Sequence, residues 1–248
     1  MISLKTSGEM QMIRESGRIV AQALQLSKER AREGMTTAEL NELIEDFILR
    51  QGGRPAFKGF CGFPASSCVS INEQVVHGIP GNRRLKRGDI VSVDVGVEKE
   101  SFFGDAAITF GIGSIDTGAQ DLMETCRKAL LAGIQMAVVD NRLSDISHAV
   151  QTVTENRGYG VVRDLVGHGI GQQMHEDPQI PNFGQPGRGP RLQAGMVLAI
   201  EPMITAGHYS VRTLKDNWTV VTIDGSLAVH YEHTIGITEH GPLILTEE

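Results

Sequence analysis

The chain has 248 residues, 40% of them hydrophobic, and 23 basic against 30 acidic side chains give it a formal charge of −7. That length buries a substantial core in one large domain or two small ones, and the acidic balance excludes a generally basic nucleic-acid binder. No run approaches the roughly 18 apolar residues of a membrane span, the first ten residues show no secretory signal, and three cysteines (Cys61, Cys68, Cys126) read as reduced thiols of a cytoplasmic protein.

The first predicted element is a helix over about 9–32, with Ile13, Val20 and Leu24 on one face and Gly34 as its stop. Thr36 caps a second helix through Leu40, Leu43, Ile44, Phe47 and Ile48, closed by Gly52-Gly53. From 55 to 96 the pattern is that of strands. Short runs such as 68–71 and 90–93 sit between turns at Asn72-Glu73, Pro80-Gly81-Asn82 and Arg87-Gly88-Asp89. A second helix pair follows over about 119–139 and 144–157, and after Gly158 strands return.

The order helix, helix, strands therefore occurs twice. Leu40 and Gly52 bracket the second helix 12 residues apart, as Ile146 and Gly158 bracket the fourth. Leu85 and Leu192 each precede a glycine, an apolar strand and, nine residues on, a carboxylate: Asp94 in one half and Glu201 in the other. The offsets are 106 for the helices and 107 for the strands. Two matches at one offset argue for an ancient duplication of α+β halves about a pseudo-two-fold axis. Such an axis would bring Asp94 and Glu201 together. No low-complexity linker divides the halves, so one compact unit is expected.

Four carboxylates need explaining. Asp94 lies in Val91-Ser92-Val93-Asp94-Val95-Gly96-Val97, where the valines share one strand face and Asp94 the other. Glu201 follows Val197-Leu198-Ala199-Ile200, and Asp105 and Glu232 sit in apolar stretches of the same kind. Singly, each reads as a surface or salt-bridged acid; together they would cost several kcal/mol apiece if buried unpaired. Arg212 and Lys215 could pair with them, their pKa values could rise, or divalent cations could bind. Four carboxylates and two divalent ions cancel in charge. His168, in Val166-Gly167-His168-Gly169-Ile170-Gly171, could add a nitrogen donor. Oxygen-rich ligation with one imidazole suits Mn²⁺, Fe²⁺, Co²⁺ or Zn²⁺. A pair of such ions about 3.5–4 Å apart makes hydrolysis at neutral pH the natural chemistry.

With Asn72-Glu73-Gln74-Val75-Val76-His77-Gly78-Ile79-Pro80, Gly167-His168-Gly169-Ile170-Gly171 and Tyr231-Glu232-His233-Thr234, the chain resembles the type I methionine aminopeptidases over nearly its whole length. The spacings agree: 11, 63, 33 and 31 residues separate Asp94, Asp105, His168, Glu201 and Glu232 in turn. The last gap has no room for the helical insertion of type II enzymes, and no N-terminal zinc-binding extension is seen. The resemblance implies an α+β pita-bread fold, a curved antiparallel sheet covered by helices. It also implies one catalytic domain over 1–248, with an internal repeat at about 9–110 and 118–240.

The implied activity is removal of the N-terminal methionine from nascent polypeptides when the second residue is small, through a hydroxide activated by two divalent cations (Co, Mn, Fe or Zn). The implied metal ligands are Asp94, Asp105, His168, Glu201 and Glu232, with Asp105 and Glu232 bridging the ions. Glu201 would shuttle the proton, His175 would hydrogen-bond the carbonyl or oxyanion, and His77 would contact the scissile nitrogen. The methionine pocket would use Phe60, Phe63, Cys68, His77, Met174 and Trp218. The expected protein is a cytoplasmic monomer working near the ribosome, without membrane attachment or direct nucleic-acid binding. The chain departs from the usual pattern at Phe103 (for His), Ala106 (for Thr or Ser), Gly96 (for Thr), Met174 (for Phe) and Cys61 (for His), none of them a ligand or catalytic histidine.

Three other readings compete. Aminopeptidase P and prolidase share the ligand set but usually carry an extra N-terminal domain. A non-catalytic pita-bread protein binding RNA or ribosomes would have lost ligands. A mononuclear iron oxygenase would need two histidines and one carboxylate.

Overall fold

Two threonines open the first helix pair, each through a reciprocal cap. The Thr6 hydroxyl accepts from the Glu9 N–H and the Glu9 carboxylate accepts from the Thr6 N–H, which starts helix α1 (Ser7–Arg30). Thr36 and Glu39 repeat the arrangement at helix α2 (Thr37–Arg50). Both caps come from the computed structural model, which describes residues 2–247. Helix α1 begins two residues before the expected start, because Thr6 supplies the cap, and ends two residues early, where Ala31 turns to an extended backbone.

The strands and remaining helices follow as β1 (Arg54–Pro55), β2 (Cys68–Ile71), β3 (Gln74–Val76), β4 (Ile90–Lys99), β5 (Phe102–Gly111), α3 (Thr117–Met136), α4 (Leu143–Glu155), β6 (Gly160–Val161), β7 (Val166–Gly169) and β8 (Glu176–Pro181). The chain closes with β9 (Val197–Ile200), β10 (Met203–Thr205), β11 (Val211–Thr213), β12 (Val220–Thr222), β13 (Ala228–His230), β14 (Glu232–Thr238) and β15 (Gly241–Ile244). Helices α3 and α4 fall within three residues of the expected bounds.

The principal sheet runs β1-β4-β5-β14-β9-β7-β8, with β15 added to β14 and β2 to β4, all antiparallel. Two three-stranded sheets, β13-β10-β6 and β11-β12-β3, complete the strands. Val91, Val93, Val95 and Val97 of β4 pack with Val20 and Leu24 of α1 and Leu40, Ile44 and Ile48 of α2. In the other half, Leu130 and Ile134 of α3 and Ile146 of α4 pack with Leu198, Ile200 and Ile235. Each buried aliphatic side chain is worth about 1.5–3 kcal/mol, so these clusters fix which strand face meets the helices. Period-two alternation then leaves the opposite face for Asp94 and its neighbours. This is the α+β pita-bread architecture: a curled antiparallel sheet with its four helices on the outside. Among the described residues no helix is long and apolar enough to cross a membrane.

Candidate metal centre

Strand register assembles the acids. Asp94 of β4 and Glu232 of β14 both lie opposite Ala107 of β5, and Asp105 is two residues away on β5, on the same face. Ile200, the last residue of β9, pairs with His233, so Glu201 emerges beside Glu232. His168 of β7 pairs with Ala199. Five side chains thus converge from five adjacent strands, although 138 residues separate the first from the last.

The histidine among them has a fixed tautomer. His168 Nδ1 donates to the Gly169 carbonyl at 2.9 Å, which leaves the Nε2 lone pair facing Asp105 Oδ2 at 3.8 Å and Glu201 Oε1 at 3.6 Å. Burial holds its pKa down at about 3, with His175 adding to the effect. Asp94 is pushed up to about 7 by burial, moderated by a hydrogen bond with Asp105. Asp105, Glu201 and Glu232 are raised well above the carboxylate range, first by burial and then by one another's charge and that of Asp94.

Arg212 and Lys215 are not the partners of these acids. Both are exposed, and among the described residues no Arg or Lys pairs with any of the four. Asp94 Oδ1, Asp105 Oδ1 and Glu232 Oε1 are instead buried without a hydrogen bond. Orphaned acceptors of this kind call for a cation or a proton. Asp105, His168 and Glu232 bring ligand atoms within 4.8 Å of one another. Oxygen-rich donors with one neutral imidazole fit a divalent metal.

Sequence reasoning missed His230. Its ring is 2% exposed, and Nε2 lies 3.6 Å from Glu232 Oε2 and 4.0 Å from Glu201 Oε2, so it forms a second possible ligand group with them. The signal was present: His230 and Glu232 are two apart, which places them on one side of an extended chain.

Beside the acids lies a mostly apolar cavity of about 270 Å³, lined by Phe57, Phe60, Cys61, Phe63, Cys68 and Trp218. Phe63 and Trp218 meet edge to face at 5.1 Å. Five of the six expected pocket residues line it. Met174 does not: it is 2% exposed and packs behind Gly96. A Cβ on Gly96 would lie 2.6 Å from Phe57 Cε1 and 3.0 Å from Met174 Cε, so the missing side chain makes room for both. Phe57 takes the lining role, which no local pattern announced. Cys68 stays a thiol, because burial and then the neighbouring Asp94, Asp105 and Glu232 push its pKa up.

A wider polar cleft of about 840 Å³ adjoins the cavity, and His77, His168, His175 and Glu201 line both. These four mark the neck where the smaller, more apolar pocket meets the larger cleft. His77 adopts a left-handed backbone (φ 57°), which turns its ring toward Trp218 at 6.3 Å. His175 stacks its edge on His168 at 4.2 Å and faces Phe60 at 5.2 Å. Partial burial lowers the pKa of both, His175 keeping an exposed side at the cleft, so they stand as neutral donors.

A buried acid cluster with the neutral imidazoles of His168 and His230, at the mouth of a pocket, is equipped for metal-dependent hydrolysis. The chain belongs to metallopeptidase family M24, whose model matches residues 11–239. Among curated relatives, methionine aminopeptidase from Clostridium perfringens is 54% identical over 246 residues, 99% of each chain. Methionine aminopeptidase 1 from Bacillus subtilis is 52% identical, with the same coverage. The crystal structure of methionine aminopeptidase from Thermotoga maritima superposes with a TM-score of 0.98 at 44% identity, covering all of both chains.

Proposed function

We propose that this chain removes the N-terminal methionine from polypeptides whose second residue is small, as a type I methionine aminopeptidase of one catalytic unit with repeats at about 9–110 and 118–240. The observation that carries this reading is the neck: the catalytic groups sit between a pocket with space for one long side chain and an open cleft for the chain that follows. A first residue seated in the pocket leaves the rest of the peptide in the cleft, the arrangement an exopeptidase uses.

Asp94, Asp105, His168, Glu201 and Glu232 would hold two divalent cations, Co, Mn, Fe or Zn. When bound, such cations lower the pKa of water and polarise a carbonyl. The chain's own groups do the rest. The Phe63, Cys68 and Trp218 walls take the flexible thioether. Glu201 lines both cavities and is the carboxylate placed to accept a proton from water and return it to the leaving amine. Neutral His175 donates a hydrogen bond to the scissile carbonyl oxygen as negative charge develops there. His77, on the other side of the neck, contacts the scissile nitrogen. The protein acts as a monomer in the cytoplasm, on nascent chains near the ribosome, without binding nucleic acid or membrane.

Release of methionine from Met-Ala-Ser, with no cleavage of an Xaa-Pro peptide at matched metal loading, is the expected result. Preference for Xaa-Pro would transfer the chain to the prolidase and aminopeptidase P group, and no hydrolysis of either would leave a binding protein.

A further inference from the structure

His175 makes no side-chain hydrogen bond among the described residues; its ring is placed by edge contacts and by the turn that carries it. That turn, between β7 and β8, is held from an unexpected direction. Lys5, from the segment preceding α1, is buried, and its Nζ donates to Glu176 Oε2 at 2.5 Å and to the Ser3 carbonyl at 3.1 Å. The Lys5 N–H donates to the Gly195 carbonyl at 2.7 Å, so the segment is fastened by main chain as well as side chain. The other Glu176 oxygen accepts from the Gln173 N–H at 3.2 Å.

One carboxylate therefore closes the turn and ties it to a residue 171 positions away in sequence. Gly171, at the start of the turn, leaves the space. A Cβ there would sit 2.5 Å from Lys5 Cε and 2.7 Å from Glu176 Oε1. The Phe103 N–H donates to the Gly171 carbonyl at 2.9 Å and anchors the start of the turn on β5. The Lys5 side chain is 5% exposed and that of Glu176 14%; a largely buried pair of this kind contributes little net stability, but each charge holds the other in place. His175 sits directly before Glu176 within this clamp.

We propose that the Lys5–Glu176 ion pair is a positioning device for the reaction: it sets the 171–176 turn and thereby aims the His175 ring across the neck. The proposal rests on the role given to His175 above. Lys5 and Glu176 are positioning residues, acting through that imidazole.

The test uses the full-length, metal-loaded enzyme. Lys5→Met should lower kcat about 10- to 100-fold, the scale of a displacement of about 1 Å. KM and the calorimetric metal affinity should stay within about twofold. Lys5→Arg, which restores the cation, should recover most of kcat. Lys5→Met combined with Glu176→Gln removes both charges and should remain slow; recovery there would mean that the pair only neutralises a buried charge. On a His175→Ala background Lys5→Met should cost less than about twofold more.

Wild-type kcat in Lys5→Met, recovery in the double variant, or full additivity with His175→Ala would each overturn the proposal. Glu176→Gln, which keeps the Gln173 bond, repeats the test with the same expected loss of kcat should melting show that Lys5→Met does not fold. If His175→Ala itself kept wild-type kcat, the role given to His175 would fall and the proposal with it. A slow His175→Ala beside an unimpaired Lys5→Met would remove the ion pair alone.

Discussion

Stripped of divalent cations, the protein should lose stability as pH rises from about 7 to 8. Burial carries Asp94 from 3.8 to about 7, a difference worth about 4 kcal/mol, and Asp105, Glu201 and Glu232 are raised by burial and by one another. In the unfolded chain all four release their protons near pH 4. The folded chain retains them to higher pH, so stability present in acid is lost as pH climbs through the folded-state values. Each retained proton costs about 1.4 kcal/mol per pH unit.

The buried imidazoles work in the opposite sense but at lower pH. His168 and His230 are held at about 3 and His233 at about 4 by burial. Unfolded histidine is half protonated at about 6.5 and about one quarter protonated at pH 7, so their effect, with that of His77 and His175, is largely spent by pH 7. Above it the carboxylates dominate. One retained proton should lower the melting temperature by about 3–6 °C per pH unit in a chain of this size. Scanning calorimetry of chelator-treated protein at fixed ionic strength measures this directly. Saturating Mn²⁺ should remove the dependence, and Glu232→Gln should flatten it. A melting temperature that is level or rises between pH 7 and 8 without metal would refute the reasoning.

Glu201→Ala and His168→Ala should each reduce peptide release by at least about 10²-fold while the fold survives; wild-type activity at matched metal loading would remove that residue from the site. Gly96→Ala should crowd Phe57 and Met174, whose atoms stand 2.6 and 3.0 Å from the added Cβ, and cost about 1–3 kcal/mol of stability. Because Phe57 is pushed into the pocket, KM for methionyl peptides should rise several-fold with kcat nearly unchanged. An unaltered KM and melting temperature would show that the ring is free to move aside.

The acids were legible in the sequence because each interrupts an apolar run, a contrast that survives without any knowledge of pairing. The repeat read in the sequence led to the expectation that Asp94 and Glu201 lie together, and both line the apolar cavity. Both threonine caps were within reach of local chemistry, though only Thr36 was read and Thr6 was missed. Phe57 was not legible: it lies in an irregular segment, and its position depends on the space above Gly96 two strands away in sequence. The Lys5–Glu176 clamp was hidden for the same reason, since nothing local links residues at opposite ends of the sequence. Met174 was assigned to the pocket by resemblance, and it packs instead against Gly96, beside Phe57.

Anomalous diffraction from crystals grown with Mn²⁺ or Co²⁺ tests the central claim most directly. Two peaks are expected in the cleft, held among Asp94, Asp105, His168, Glu201 and Glu232. A cleft without anomalous density, or ions bound away from these five side chains, would contradict it.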